Sequence, residues 1–285
     1  QKAPQIMADV SVSLGEQRYV TEGVRRNVRS DGRTCQDCRA VVVESGVFPQ
    51  ANGSARVSVG RGETVVVAAT KAELVTPSDD RPNAGQLDVS VKWSSIASQT
   101  RDDDAALTDR VKQVFCESGA IDAEKLCISP GHFAWCIHLD VMILECGGGE
   151  VDAAVLAGHI ALRDTMLPRL TVIPAASEEE EPDIEMDGDV LAAEALPGAA
   201  DLPLTVSLYA LGSHLLVDPT LVEAACARAA LCATVTRDGK VAALRHQGHG
   251  ALHPEALLSA LRLAVRVAGA SFAAVDGALE RERGR

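Results

Sequence analysis

Positive charge is scarce in this chain. Its 285 residues include 27 Lys and Arg against 40 Asp and Glu, which gives a formal net charge of -13 at pH 7. A protein that binds nucleic acid by charge alone needs a basic surface. The composition therefore argues against an autonomous, charge-driven nucleic-acid binder, and any contact with nucleic acid must be local or shared with partner proteins.

Long apolar runs are missing as well. No uninterrupted apolar stretch reaches the roughly 18 residues that indicate a membrane span, and residues 1–25 lack the apolar core of a signal peptide. We therefore expect a soluble, intracellular chain that makes no membrane contact. Because 47% of the residues are hydrophobic, the chain can bury a substantial core in one large or two smaller domains.

The eight cysteines fit a reducing compartment. In apolar periodic segments a reduced Cys is expected to behave as a small buried hydrophobe. Six cysteines lie in such segments: Cys116, Cys127, Cys136, Cys146, Cys226 and Cys232.

Cys35 and Cys38 form a C-x-x-C pair, a spacing found in zinc and redox sites. A structural zinc site needs four ligands, and the sequence has no second C-x-x-C pair. His246, His249 and His253 could supply further ligands, but they are spaced as in a Gly-rich loop rather than along a helix face. We therefore expect no metal and no cofactor, and keep a metal-binding module as the least favoured alternative.

Val-rich segments predict a sheet in the first part of the chain. Val41–Val43 and Val57–Val59 flank Asn52-Gly53, a dipeptide that tolerates the positive φ of a tight hairpin turn. A third run, Thr64–Ala69, is apolar throughout, as expected for a strand covered on both faces. Leu87–Val91 alternates and predicts a further strand.

Helical and strand periods continue along the rest of the chain. The predicted elements are a helix over Asp103–Ser118, a strand over Phe133–Leu144, a helix over Val151–Met166, strands over Leu204–Leu211 and His214–Val217, a segment from Ala224 to Thr236, a strand over Val241–Arg245 and a long helix from Pro254. The acidic, Pro-containing segment Ser177–Asp189 predicts a solvated loop. We place the boundary between two lobes there.

Several motifs occur in an order that resembles the RNase PH family, and within it a ring subunit of the eukaryotic RNA exosome. The motifs are Asp31-Gly32-Arg33, Gly53-Ser54-Ala55-Arg56-Val57, Lys71-Ala72-Glu73, Leu126-Cys127-Ile128-Ser129-Pro130, Leu144-Glu145-Cys146-Gly147-Gly148 and Val217-Asp218-Pro219-Thr220-Leu221. The resemblance implies an α/β (α+β) fold with two pseudo-symmetric βαβ-type lobes, mixed sheets and packed helices. The expected division is an N-terminal extension (1–25), an N-terminal lobe (26–176), an acidic linker loop (177–201) and a C-terminal lobe (202–285).

The resemblance also implies where an active site would lie, and the sequence departs from the active pattern there. Active members follow a glycine turn with a hydroxyl residue and an Arg that grip phosphate, whereas Gly148-Gly149 is followed here by Glu150 and Val151. An acidic box in active members serves catalysis and metal binding. Its counterpart here runs from Asp218 through Glu223 to Ala224, so its last acid is lost. We interpret Asp218 and Glu223 as hydrogen-bonding and capping residues, and expect no catalytic residue.

In archaeal relatives of this type, a helix after the first sheet offers several Arg to RNA. Most of that basic array is replaced here, for example by Asp109 and Gln113, and Arg101, Arg110 and Lys112 remain as candidates. An RNA contact and a solvated helix face are equally open interpretations of these three residues.

The resemblance implies a non-catalytic subunit of the hexameric exosome ring, which helps to thread RNA during 3′-to-5′ processing and decay. Expected partners are other RNase PH-like ring subunits, cap proteins and single-stranded RNA in a shared channel, in the nucleus, nucleolus and cytoplasm. The alternative is an active phosphate-dependent 3′ exoribonuclease. Glu150, Val151 and Ala224 count against that alternative.

Overall fold

A mixed sheet dominates the first half of the chain in the computed structural model, which describes residues 11–94, 104–116, 118–173, 182–189 and 192–283. Its strands are β1 (Val41–Ser45), β2 (Gly53–Val59), β3 (Thr64–Val75), β4 (Gln86–Trp93), β5 (Cys127–Ser129) and β6 (Phe133–Glu145). They are ordered β1-β2-β3-β6-β4, with β5 paired to β6. β4 runs parallel to β6, whereas the other pairs are antiparallel.

Two helices cover this sheet and explain its apolar central strands: α2 (Asp104–Cys116) and α3 (Glu150–Asp164). The first helix, α1 (Leu14–Arg25), instead packs beside the short helix Leu221–Cys226. α2 buries Leu107, Val111, Val114 and Phe115, which recur at helical spacing. α3 is buried along most of its length, because it packs on β2 and β3 and also contacts the second sheet.

Short strands connect the two halves. β7 (Met166–Leu167) pairs with β10 (Glu194–Ala195), and β8 (Leu170–Ile173) pairs with β9 (Asp183–Met186). Part of the segment predicted as a solvated loop, Ser177–Asp189, is therefore a strand. The prediction is wrong there because pairing with β8 satisfies the backbone of β9, which the charge pattern does not reveal.

The second sheet is antiparallel, in the order β12-β11-β13-β14. Its elements are β11 (Leu204–Leu211), β12 (His214–Val217), the short helix α4 (Leu221–Cys226), β13 (Ala229–Val235), β14 (Val241–Gly248) and the long helix α5 (Pro254–Arg283). α5 packs against β11, β13 and also β1. The mixed sheets and packed helices confirm the predicted fold class.

By length and composition alone, Pro254–Arg281 of α5 is long and apolar enough to cross a membrane, with a mean hydropathy of 1.5. Its packing gives another reason for that composition. Ala260, Ala264, Ala268, Phe272 and Val275 are buried in the hydrophobic core. We therefore interpret α5 as a core helix, and the predicted apolar stripe is confirmed along its second half.

Two further predictions fail. The Asn52-Gly53 turn is wrong, because Gly53 already belongs to β2 and Ser45 pairs with Ala55, so residues 46–52 form a longer connection. The expected burial of the cysteines holds for Cys136 alone of the six, since Cys116 is exposed and the other four are half-buried. Cys116, Cys127, Cys146 and Cys226 lie at or beside the ends of helices or strands, where a side chain is less enclosed, whereas Cys232 lies within the strand Ala229–Val235.

Candidate functional site

The turn before α3 is built from glycines that no other residue could replace cheaply. Gly148 and Gly149 have positive φ angles of 111° and 70°. A Cβ atom on Gly148 would lie 2.4 Å from the Pro219 carbonyl oxygen. The turn therefore requires glycine both for its backbone conformation and for its close approach to the segment that follows β12.

Hydrogen bonds fix this turn in place. The Gly148 carbonyl accepts from Thr64 Oγ1 (2.8 Å) and from Arg39 Nη2 (2.8 Å). The Leu221 amide donates to the Gly147 carbonyl across 3.1 Å. Residues from three parts of the chain thus meet at the start of α3.

Asp218 lies at the centre of this meeting point. Its Oδ2 accepts from the Arg39 amide (2.8 Å) and from Arg33 Nη1 (3.0 Å), and its Oδ1 accepts from Arg39 Nη2 (2.6 Å). Burial by itself would raise the pKa of Asp218, but the hydrogen bonds and charge of Arg39 and Arg33 outweigh it and lower that pKa. The carboxylate is therefore held ionised by arginines.

Glu223 is likewise enclosed by structural partners. Its Oε1 accepts from Arg29 Nε (2.9 Å) and its Oε2 from Arg29 Nη2 (2.5 Å), and the two side chains are 2% and 0% exposed. Glu223 Oε2 also accepts from the Thr220 amide (2.8 Å), which closes a capping box at the start of α4. The next residue, Ala224, is buried in a small apolar cluster.

The first turn of α3 contributes Glu150 and Val151. Glu150 is buried and lies within 3.8 Å of Cys146 Sγ. Val151 lines a cavity of about 310 Å³ between α2, α3 and the second sheet. The polar lining of this cavity includes Arg110, Ser207, Tyr209 and Arg245.

Asp152 is the next residue along α3. Its carboxylate accepts from the Ser207 amide (2.8 Å) and the Ser207 hydroxyl (2.9 Å), which joins α3 to β11. Burial raises the pKa of Asp152 to about 7, against the opposing effect of the Ser207 hydrogen bonds. This acid joins the two halves of the molecule.

Comparison with known proteins agrees with this arrangement of two sheets around a glycine turn. The model of the RNase PH 3′ exoribonuclease family matches residues 37–168 with its domain 1 and residues 201–267 with its domain 2. Exosome complex component Rrp42 of Methanocella arvoryzae is 31% identical over 252 residues, 86% of this chain and 90% of that protein. The chain belongs to the RNase PH family.

Other relatives extend the likeness to plants and to solved structures. Exosome complex component RRP45A of Arabidopsis thaliana is 30% identical over 277 residues, 94% of this chain and 87% of that protein. A chain of the Archaeoglobus fulgidus exosome with RNA bound to the active site superimposes with a TM-score of 0.73 at 27% identity, over 89% of this chain and 94% of that one. A chain of an archaeal exosome core gives the same TM-score at 26% identity, over 92% and 96%.

Of the three tentative RNA-binding residues of this RNase PH-like chain, the two that the structure describes do not lie together. Arg101 falls outside the described residues. Arg110 lines the cavity beside Val151, whereas Lys112 lies on the opposite side of α2, 3.9 Å from Asp88. Side chains that are two positions apart on a helix point in nearly opposite directions. Arg110 and Lys112 therefore cannot form one surface.

The C-x-x-C pair is not gathered with the histidines into a metal centre. Cys35 is buried and lies 3.5 Å from the Val24 carbonyl, while Cys38 is exposed. His246 Nε2 contacts the Gly250 carbonyl at 3.0 Å. Within the described residues, no group of three or more His, Cys, Asp or Glu side chains is arranged to hold a metal ion.

Sequence analysis missed the residues that neutralise the acids of this site. Arg29 and Arg33 reach across from the segment after α1, and Arg39 from the segment before β1. A general rule could have pointed to them: a buried carboxylate needs a cationic or hydrogen-bonding partner. Three arginines within eleven residues of one another were available for that role.

Proposed function

We propose that the chain is a non-catalytic subunit of the hexameric RNase PH-like ring of the RNA exosome. The relatives named as exosome components and the superposition on exosome core chains support the ring role. The observation that carries the non-catalytic role is the state of Asp218, whose carboxylate oxygens are engaged by Arg33 and Arg39. The role of the whole chain is then positional: it helps to form the channel through which RNA is threaded.

Phosphorolysis needs donors and carboxylates that are not already paired with each other. A phosphate nucleophile must be held beside a phosphodiester, which requires cationic or N–H donors, and a divalent cation requires free carboxylates. The arginines of this site are paired with its own acids. At the start of α3 the chain presents the Glu150 carboxylate and the Val151 side chain. Asp218 and Glu223 are committed to arginines, and Ala224 has no ligand atom. These residues do not suit a divalent metal ion.

We further propose that the two sheets mark two lobes, with residues 26–176 and 202–285 as their bounds and 177–201 as the linker. The ion pairs of Arg29 with Glu223 and of Arg39 with Asp218 each span these two stretches. The acids that would serve catalysis in an active relative thus serve here to join the lobes. Nuclear, nucleolar and cytoplasmic residence is part of the same proposal.

A nuclease assay tests the non-catalytic role. The purified chain is incubated with uniformly labelled single-stranded RNA, inorganic phosphate and Mg²⁺, and released nucleoside diphosphates are separated from the remaining RNA. We expect no release. Release that Asp218→Asn abolishes, while circular dichroism shows the variant to be folded, would establish the active phosphorolytic exoribonuclease instead.

Co-purification tests the ring role separately. Expression of the chain with a homologous exosome subunit should give complexes whose mass corresponds to a ring with several homologous chains. A chain that stays alone with every homologous subunit, whatever the outcome of the nuclease assay, contradicts the ring role.

A further inference from the structure

A second, larger cavity lies beside α5 and the second sheet. It has a volume of about 1110 Å³ and opens as a groove between the first half of α5, the turn from β11 to β12 and the loop before α5. This volume exceeds the roughly 300–1,000 Å³ of a usual small-molecule pocket. The groove is therefore large enough for a segment of polypeptide.

The charged lining of the groove has a single sign, in contrast to the chain as a whole. Arg262 and Arg266 line it, and no Asp or Glu is found among its described lining residues. Arg262 and Arg266 are four residues apart on α5, so their side chains lie on one face about 6 Å apart along the axis. Arg266 Nη2 donates to Gln36 Oε1 across 2.6 Å, which holds its guanidinium at the groove.

The positive character of the groove comes from the two arginines and not from the start of α5. Pro254 has no N–H group, the Glu255 amide donates to His253 Nδ1 across 3.4 Å, and Glu255 is itself acidic. Arg262 and Arg266 therefore make the groove attractive to carboxylates.

The apolar part of the lining is aliphatic. Leu215, Leu252 and Leu263 lie along it, with Leu263 buried and the other two half-buried. Single-stranded nucleic acid gains much of its sequence-tolerant affinity by stacking bases on aromatic rings. Within the described lining there is no Phe, Trp or Tyr, so the surface suits aliphatic side chains better than nucleobases.

We propose that this groove docks an acidic, leucine-bearing peptide segment of a partner protein. Carboxylates of that segment pair with Arg262 and Arg266, and its aliphatic side chains pack on Leu215, Leu252 and Leu263. The proposal stands independently of the ring role and of the inactivity of the α3 site, because none of the groove residues belongs to either argument.

Peptide binding to the full chain tests the proposal. The probe is a fluorescein-labelled decapeptide of Asp, Glu and Leu, and its affinity is measured by fluorescence anisotropy. Because two desolvated ion pairs are reversed, the double variant Arg262→Glu/Arg266→Glu should bind at least about tenfold more weakly. Leu263→Ala should also weaken binding, whereas a Lys and Leu decapeptide of the same pattern should not bind.

The matched control is Arg18→Glu/Arg281→Glu, which makes the same change in net charge at exposed residues outside the groove. This control should bind the acidic peptide as the unmodified chain does. Equal weakening by both double variants would mean attraction by overall charge and would overturn the proposal. Tighter binding of single-stranded oligouridine than of the acidic peptide, lost in Arg262→Glu/Arg266→Glu, would assign the groove to RNA instead.

Discussion

Asp218 combines an unusual backbone conformation with contacts to three arginines. Its backbone has a φ of 44°, in the left-handed region that non-glycine residues seldom occupy. Its carbonyl accepts from Arg29 Nη2 (2.9 Å) and Arg33 Nη1 (3.1 Å), and its carboxylate accepts from Arg33 and Arg39. Such a strained backbone conformation persists only where surrounding contacts hold it in place, and hydrogen bonds from three arginines hold it here.

The departures from the active pattern could be read from the sequence, but the ion-pair partners of the site could not. Val151 and Ala224 are visible as substitutions within a motif. The contacts of Arg29 with Glu223 and of Arg39 with Asp218 join residues 194 and 179 positions apart, and no local period encodes such a separation. Long-range ion pairs follow from the packing of the lobes, which only the folded chain defines.

Removal of the Glu223 carboxylate tests its structural role. In Glu223→Ala the guanidinium of Arg29 stays buried without its partner, so the free energy of unfolding should fall by about 3–5 kcal/mol. Glu223→Gln keeps an acceptor for Arg29 and for the capping box, and should lose less. Urea unfolding followed by circular dichroism measures both.

Thr220→Ala is the control for the capping contribution alone. It removes the hydroxyl that accepts from the Glu223 amide but leaves the pair with Arg29, so it should cost about 1 kcal/mol. If Glu223→Ala costs no more than Thr220→Ala, the ion pair contributes nothing beyond the cap, and the structural interpretation of Glu223 is wrong.

At the scale of elements, periodicity predicted the helices and long strands well. α2, α3 and α5 begin and end within two residues of the predicted positions where both are defined, because each buries one recurrent apolar face. The elements that were missed have weak apolar patterns. β9 lies in an acidic segment, and α1 has few buried residues, Val24 among them, so its apolar pattern is weak.

The two faces of α2 lead to different expectations for RNA binding. Arg110 lines a cavity between α2 and the second sheet, whereas Lys112 is half exposed beside Asp88. A solvent-exposed ion pair such as Lys112 with Asp88 contributes little to stability. We therefore assign any RNA contact of this helix to Arg110.

Salt dependence of RNA binding by the assembled ring tests this assignment. Replacement Arg110→Gln should weaken single-stranded RNA binding and reduce the slope of log K against log salt by about 0.7, the value for one lost phosphate contact. Lys112→Gln is the matched control on the same helix and should change neither quantity. Equal, small effects of both would mean that α2 presents only a solvated face to the channel.

At the scale of the whole molecule, the sheets leave apolar strand edges exposed. β1 is an edge strand with Val41 and Val42 exposed by 42% and 55%, and β14 is an edge strand with Leu244 exposed by 44%. Exposed apolar side chains on edge strands are expected where another chain covers the edge.

Assembly provides the test at this scale. Open edges with apolar side chains invite pairing with other chains, and a head-to-tail ring covers them by giving each subunit two different partner faces. We expect the isolated chain to be poorly soluble or partly self-associated, and co-expression with a homologous subunit to yield a stable heterodimer. Each interface should bury on the order of 2,000 Å² or more.

Analytical ultracentrifugation measures both the isolated chain and the heterodimer. The edge variant Val42→Lys should weaken the heterodimer if β1 lies in an interface. A well-behaved monomer that ignores every homologous subunit would contradict the ring assembly and the positional role that depends on it.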